Sequence, residues 1–223
     1  MNSIEQNIAQ IRKQIPQNID LVCVSKFHPQ EAVLQAYNCG ERLFGESRVQ
    51  ELLLKYNDLP KDIQWHFIGH LQRNKVRQIV PFVSLIHSVD SVELLDEINR
   101  CAEKNNRVVK VLLQVHIAQE EHKFGFSPEE LKVFCNSYKA QEYPYVTISG
   151  LMGMATFTDD TEQIRREFSS LSRLFSEIQS SGIFCAKTFK VLSMGMSDDF
   201  PLAIENGSTM VRIGSSIFGL RHK

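Results

Sequence analysis

The sequence predicts an α/β fold: a single (β/α)8 barrel of the TIM type, with one extra helix ahead of the first strand. Three observations predict it. Eight short apolar, β-branched segments alternate with amphipathic ones, which implies parallel strands joined by right-handed crossovers. The chain has 223 residues, and eight such units fill roughly 200–250 residues in a closed barrel. No Pro/Gly/Ser-rich linker, low-complexity tract or charge run divides it, so residues 1–223 read as one domain. An open doubly wound sheet is the alternative. The first strand–helix turn carries no G-x-G-x-x-G, which lowers a dinucleotide-binding reading.

The elements follow in order. Ile4, Ile8, Ile11 and Ile15 are spaced 4, 3 and 4, one apolar stripe on a helix over 3–15. After Pro16, IDLVCVS (19–25) is a buried-strand pattern. PQEAVLQAYNCG (29–40) has Pro at its start and Gly at its end, as a helix requires. RLFG (42–45) is a strand, SRVQELLLKYN (47–57) a helix and QWHFIG (64–69) a strand. RNKVRQIV (73–80) is a helix stopped by Pro81, and FVSLIHS (82–88) is a strand. A helix over 89–106 can be capped by Ser91. RVVKVLLQVHI (107–117) is a long β-branched strand, followed by the polar loop 118–126. Ser127-Pro-Glu-Glu opens a helix over 127–138. VTISGLMGM (146–154) is a strand and 161–182 a long amphipathic helix ending in Gly. TFKVLSMG (188–195) is a strand, DDFPLAIENG (198–207) a short helix, and 209–219 a last strand and turn.

Composition excludes several function classes. Net charge is −1, which argues against nucleic acid and against a polybasic membrane anchor. The hydrophobic fraction of 43% is enough to form a core, so disorder is not the main state. The longest apolar runs reach four or five residues, against about 20 for a membrane helix. The polar N-terminus has no signal-peptide pattern. Five cysteines, widely spaced and without C-x-x-C, read as reduced thiols in a cytoplasm.

In such a barrel, chemistry sits at the C-terminal ends of the strands. Lys26 ends the run LVCVS there. A buried amine there loses its proton more readily, and a neutral amine is what Schiff-base chemistry requires. A solvent-facing lysine that begins a loop is the other reading. Ser193-Met194-Gly195 and Gly214-Ser215-Ser216 follow strands seven and eight, where barrels often bind phosphate on backbone N–H groups. Ordinary turn glycines are the alternative. His66 and His70 make a weak H-x-x-x-H. The segment is strand-like, so the two do not share a helix face as a metal site of that type needs. His66 reads as structural and His70 as lining the mouth. Glu120 and Glu121 read as a solvated pair.

Several segments then match a known family in order: VSKFHP (24–29), FGESRVQE (44–51), WHFIGHLQRNK (65–75), IHSVDS (86–91), KFGF (123–126), GLMGM (150–154), LSMGMSDD (192–199) and STMVRIGSSIFG (208–219). Together they resemble the pyridoxal phosphate homeostasis protein family, over nearly the whole chain. That resemblance implies a barrel similar to the N-terminal domain of alanine racemase. It implies that Lys26 holds pyridoxal 5′-phosphate as an internal aldimine. Ser193, Gly214 and Ser215 would bind the phosphate, helped by the Met194 and Ser215 N–H groups. Arg212 would face the pyridine nitrogen, and Met154 and Ile68 would border the ring. Ser47 stands where many members carry Asn, so the polar contact near the cofactor is shorter here. No catalytic residue and no metal are implied.

The function implied is binding, buffering and delivery of pyridoxal phosphate within vitamin B6 balance. The chain would be a cytoplasmic monomer, with pyridoxal phosphate-dependent apoenzymes as recipients, and would not be an enzyme. A pyridoxal phosphate-dependent amino-acid racemase is the first alternative. It is disfavoured because the chain stops at Lys223, just after the last strand, leaving no residues for a second domain or a second base. A cofactor-free Schiff-base aldolase using Lys26 is the other.

Overall fold

The computed structural model describes residues 3–120 and 124–219; Glu121 and Lys123 lie outside them. Eight strands form a closed parallel barrel, each paired to the next and the last to the first. They are β1 (Asp20–Val24), β2 (Leu43–Glu46), β3 (Gln64–Phe67), β4 (Leu85–Val89), β5 (Val109–Val115), β6 (Val146–Gly153), β7 (Val191–Ser193) and β8 (Met210–Ile213). Closure is made by Cys23 beside Phe44 on one side and Ile213 on the other. α1 (Ile4–Gln14) precedes β1 as an extra helix. α2 (Gln30–Asn38), α3 (Val49–Asp58), α4 (Val76–Ile79), α5 (Val92–Lys104), α6 (Pro128–Ser137), α7 (Thr161–Ser181) and α8 (Phe200–Glu205) fill the crossovers, and α9 (Ser215–Phe218) follows β8.

Strand alternation divides the buried residues into two sets. Outward-facing Leu21, Phe44, Trp65, Phe67, Ile86, Leu113, Leu151, Leu192 and Val211 pack under the helices in one continuous core. Burying each large apolar side chain contributes roughly 1.5–3 kcal/mol. Inward-facing Val22, Leu85, Leu112, Met152 and Met210 form a second, smaller cluster inside the barrel. Polar side chains fill the rest of that interior: His66, His87, Ser193 and Arg212 are all buried.

Caps read from the sequence form as hydrogen bonds. Ser127 and Glu130 make a reciprocal capping box at α6, and the Ser91 hydroxyl accepts from Leu94 N at α5. Boundaries differ in three places. The segment 73–80 is a 3-10 turn (Arg73–Lys75) before a single α-turn. β4 starts at Leu85 because Phe82 N and Val83 N are taken by Ile79 O. β7 is three residues long, because a turn closes from Cys185 O to Phe189 N before it and Gly195, at φ +97°, bends the chain after it.

No helix among the described residues is long and apolar enough to cross a membrane. Nor do the described residues contain a group of three or more His, Cys, Asp or Glu able to hold a metal. All five cysteines are free.

Candidate functional site at the C-terminal mouth

Lys26 lies two residues beyond the end of β1, half-buried at the C-terminal mouth. The backbone on both sides of it is clamped by charged side chains of α3. Lys55 Nζ donates to Ser25 O at 2.8 Å, and Phe27 N donates to Glu51 Oε1 at 2.7 Å. Phe27 is held at φ +67°, a left-handed conformation costly for a bulky residue unless its surroundings impose it. Lys55 also donates to Glu46 Oε1 and to Glu51 Oε1, both at 2.7 Å. The Ser25 hydroxyl donates to Glu46 Oε1 at 2.6 Å. Glu46 and Lys55 are both buried.

Sequence reading placed Glu46 at a strand end but missed Lys55. The one available signal was Glu51 and Lys55 at i, i+4 on a helix that starts beside the mouth.

Burial pushes the Glu46 carboxyl up to about 7, against the opposing pull of Lys55 and Ser25. Its Oε2 has no hydrogen-bond partner among the described residues. A carboxyl raised in the folded state binds its proton more tightly there than in the unfolded chain. Glu46 therefore contributes stability that is fully present below pH 4.5 and lost as pH rises through about 7. The span corresponds to about 3 kcal/mol. Glu46→Gln is expected to abolish this slope. Urea unfolding of wild type and variant across that pH range should give a stability difference that changes with pH. A constant difference would show that Glu46 titrates normally.

Beneath the mouth, Arg212 points from β8 into the barrel. Its Nη1 donates to Ser193 Oγ at 2.6 Å and its Nη2 to Gly153 O at 3.0 Å. Ser193 Oγ also lies 3.1 Å from His87 Nδ1, and His87 Nε2 lies 3.0 Å from His66 Nδ1. Burial lowers the Arg212 guanidinium to about 10, opposed by the charge of Asp199, so it keeps its proton at neutral pH. Burial lowers His66 to about 3, with a smaller effect of Lys110. His87 is pushed well below its usual range by burial, then by His66 and Arg212.

The two Gly/Ser turns meet at this mouth. Ser197, which sequence reading passed over, joins them: its hydroxyl accepts from Gly214 N at 3.2 Å and Ser216 N at 3.4 Å. A Cβ at Gly214 would stand 3.1 Å from Val24 O. The Asp199 carboxylate accepts from Met196 N at 2.6 Å and so braces the turn after β7.

The residues singled out in sequence separate by depth. Lys26, Ser47, Ile68, Met154 and Gly214 are half-buried and Ser215 is exposed, all just beyond strand ends at one mouth. Ser193 and Arg212 lie deeper, and the Ser193 hydroxyl is engaged by Arg212 and His87. Met194 faces the outer core, and its N–H donates to Met210 O at 3.2 Å. His70 is exposed, bonded to Asp90 at 2.9 Å and stacked on Phe124 at 3.9 Å.

Comparison with known proteins places this geometry. The family model "Alanine racemase, N-terminal domain" matches residues 1–222. A pyridoxal phosphate homeostasis protein of Aquifex aeolicus is 44% identical over 206 residues, covering 90% of this chain and 86% of that protein. One from Mus musculus is 40% identical over 231 residues, covering 98% and 83%. Among solved structures, PipY of Synechococcus elongatus without PLP is 36% identical, with a TM-score of 0.90, covering 97% of this chain and all of that one. PipY with PLP bound is 35% identical at a TM-score of 0.87, with the same coverage. An alanine racemase of Clostridium difficile, 17% identical at a TM-score of 0.71, covers 96% of this chain and 55% of that one, and shares the fold.

Proposed function

The chain belongs to the pyridoxal phosphate homeostasis protein family, and on that premise we propose that it binds pyridoxal 5′-phosphate at the C-terminal mouth and serves vitamin B6 balance as a binding protein. One observation carries the reading. A buried, protonated Arg212 forms no ion pair among the described residues, directly below the mouth that Lys26 and the Gly214–Ser216 turn border. A buried guanidinium with no carboxylate in ion-pair contact, only the more distant charge of Asp199, is costly, and a phosphorylated pyridine supplies both a ring acceptor and an anion.

Each residue then has a task. Lys26 holds the cofactor covalently as a Schiff base, its backbone fixed by Lys55 and Glu51. Gly214 leaves room for an anion close to the β8 turn, and the Ser215 N–H donates to it. Ile68 and Met154 border the ring, and Ser47 offers a short polar contact beside it. Arg212 faces the ring nitrogen and disfavours a proton there by like-charge repulsion. When bound, pyridoxal phosphate supplies an aldehyde that links to amines and a ring that draws off electrons. The ring draws weakly when its nitrogen is unprotonated.

That electrostatic setting suits storage more than carbanion chemistry, so the protein is read as a carrier and not as a racemase. It would act as a single-domain monomer in the cytoplasm, handing the cofactor to apoenzymes that depend on it. A chiral assay of the loaded protein with alanine is expected to give turnover far below the usual enzyme range of about 1–1000 per second. Turnover within that range would replace the carrier reading with the racemase one.

Gly214→Val is expected to weaken binding of pyridoxal 5′-phosphate by at least about tenfold, through loss of charge-assisted contacts. Binding of unphosphorylated pyridoxal should change little. Dissociation constants for the two ligands in both proteins decide the matter. Equal losses would assign Gly214 to β1–β8 packing.

A further inference from the structure

The opposite end of the barrel carries a cavity of about 360 Å3, framed by the N-terminal ends of the strands. Lys110, Lys187 and Lys190 line it, with Thr147, Ser149 and the buried His66. None of the three lysines forms an ion pair among the described residues. Asp20 is the one carboxylate in the lining.

The hydrogen-bond chain inside the barrel fixes what His66 presents to that cavity. Arg212 can only donate, so Ser193 Oγ accepts from it. The Ser193 proton then points to its other neighbour, His87 Nδ1, which must accept. That makes His87 the tautomer protonated at Nε2, and Nε2 donates to His66 Nδ1. His66 is thereby protonated at Nε2. This is the network in which every buried donor and acceptor from Arg212 Nη1 to His66 Nδ1 has its partner and the Ser193 proton is not orphaned. The low affinity of both imidazoles for a second proton agrees with it. The free end of the chain is thus an N–H donor on a side chain only 4% exposed, which lines the cavity. The same cavity is lined by three lysines and by the hydroxyls of Ser84, Thr147, Ser149 and Thr188. Such a lining is rich in donors and positive charge.

We propose that this N-terminal cavity is an anion-binding site for a phosphate group, held by the His66 Nε2–H and by Lys110, Lys187 and Lys190, and separate from the C-terminal mouth. Its chemistry fits either free inorganic phosphate or a small phosphorylated metabolite. The proposal does not depend on what binds at Lys26, because the two sites lie at opposite ends of the barrel.

The test is long-range 1H–15N correlation NMR of the histidine side chains in uniformly 15N-labelled protein, titrated with inorganic phosphate. The His66 Nε2 resonance should first confirm the protonated nitrogen and then shift saturably. The amides of Gly214 and Ser216 report the other mouth in the same spectra. In the triple variant Lys110→Ala/Lys187→Ala/Lys190→Ala the apparent affinity read at His66 should fall by at least about tenfold. These lysines are exposed, so the fold is expected to survive, and an unchanged melting temperature will establish that. A repeat with glycerol phosphate assigns the source: tighter binding marks a phosphorylated metabolite, equal or weaker binding marks free phosphate. A non-saturable shift at His66, or a saturable one that the triple variant leaves unchanged, would overturn the proposal.

Discussion

Lys26→Ala is expected to abolish the visible absorbance of the purified protein while leaving its far-UV circular dichroism unchanged. The substitution removes the amine and its stem beyond Cβ from a half-buried position at the mouth. The backbone on either side of it is held by Lys55 on Ser25 O and by Glu51 on Phe27 N, two hydrogen bonds made by other side chains. Borohydride reduction of wild type, followed by peptide mapping, should place the pyridoxyl group on the peptide that carries Lys26. The variant should retain ligand only through phosphate and ring contacts, so dialysis should strip it. Two results would defeat the assignment: an absorbance band that survives in Lys26→Ala, or a label found chiefly on Lys55 or Lys75.

Ser193→Ala should destabilise the protein by about 3–5 kcal/mol. The hydroxyl stands between a charged donor and a neutral imidazole, at 2.6 and 3.1 Å. Its loss leaves Arg212 Nη1 and His87 Nδ1 unpaired in the barrel interior, though Arg212 keeps Gly153 O and His87 keeps His66. Each unsatisfied buried group costs about 1–3 kcal/mol, and more when it is charged. The cofactor should be affected through Arg212, which loses the partner that fixes its guanidinium. Retention of pyridoxal and of pyridoxal 5′-phosphate should therefore fall together, unlike the selective loss expected for Gly214→Val. Urea denaturation measures the first effect and paired dissociation constants the second. A loss confined to the phosphorylated ligand, with stability intact, would instead assign the Ser193 hydroxyl to the phosphate, the role that family resemblance implies.

The fold was legible because its signals are local and repeated. Apolar segments of the right length recur eight times, and caps such as Ser91 and Ser127 announce helix starts. Strand alternation carried past the ends of β3 and β8 puts Ile68 on the face of His66 and Gly214 on the face of Arg212. Helix α9 escaped because four residues carry no measurable period. The candidate site was legible only at its rim. Lys26, Gly214 and Ser215 stand at strand ends, where position alone marks them. Lys55 did not, because a lysine in the second turn of a helix is ordinarily solvated, and its acceptors Ser25 O, Glu46 and Glu51, which explain its burial, meet only in the fold. Ser197 likewise needed three dimensions: its partners lie 17 and 19 residues away. The interior chain of His66, His87, Ser193 and Arg212 is drawn from four strands. No sequence window shows it.

Closure of the barrel by β1 against β8 has a consequence for how the molecule is made. Cys23 meets Ile213, 190 residues later. Loop closure of that length is entropically slow, and contacts of high sequence separation retard folding. Until β8 arrives, β1 and β7 each present an open edge of unpaired backbone groups, the template for association with other chains. Helix α1, held early by Arg12 on Glu41, completes its packing only at the same moment, when its Asn7 side chain donates to Ile217 O. The two halves of the mouth, the Lys26 loop and the Gly214–Ser216 turn, come together in that last step as well. Ligand capture should therefore appear late in refolding, in phase with ring closure, and a ligand present during refolding should trap closed rings at the expense of aggregates.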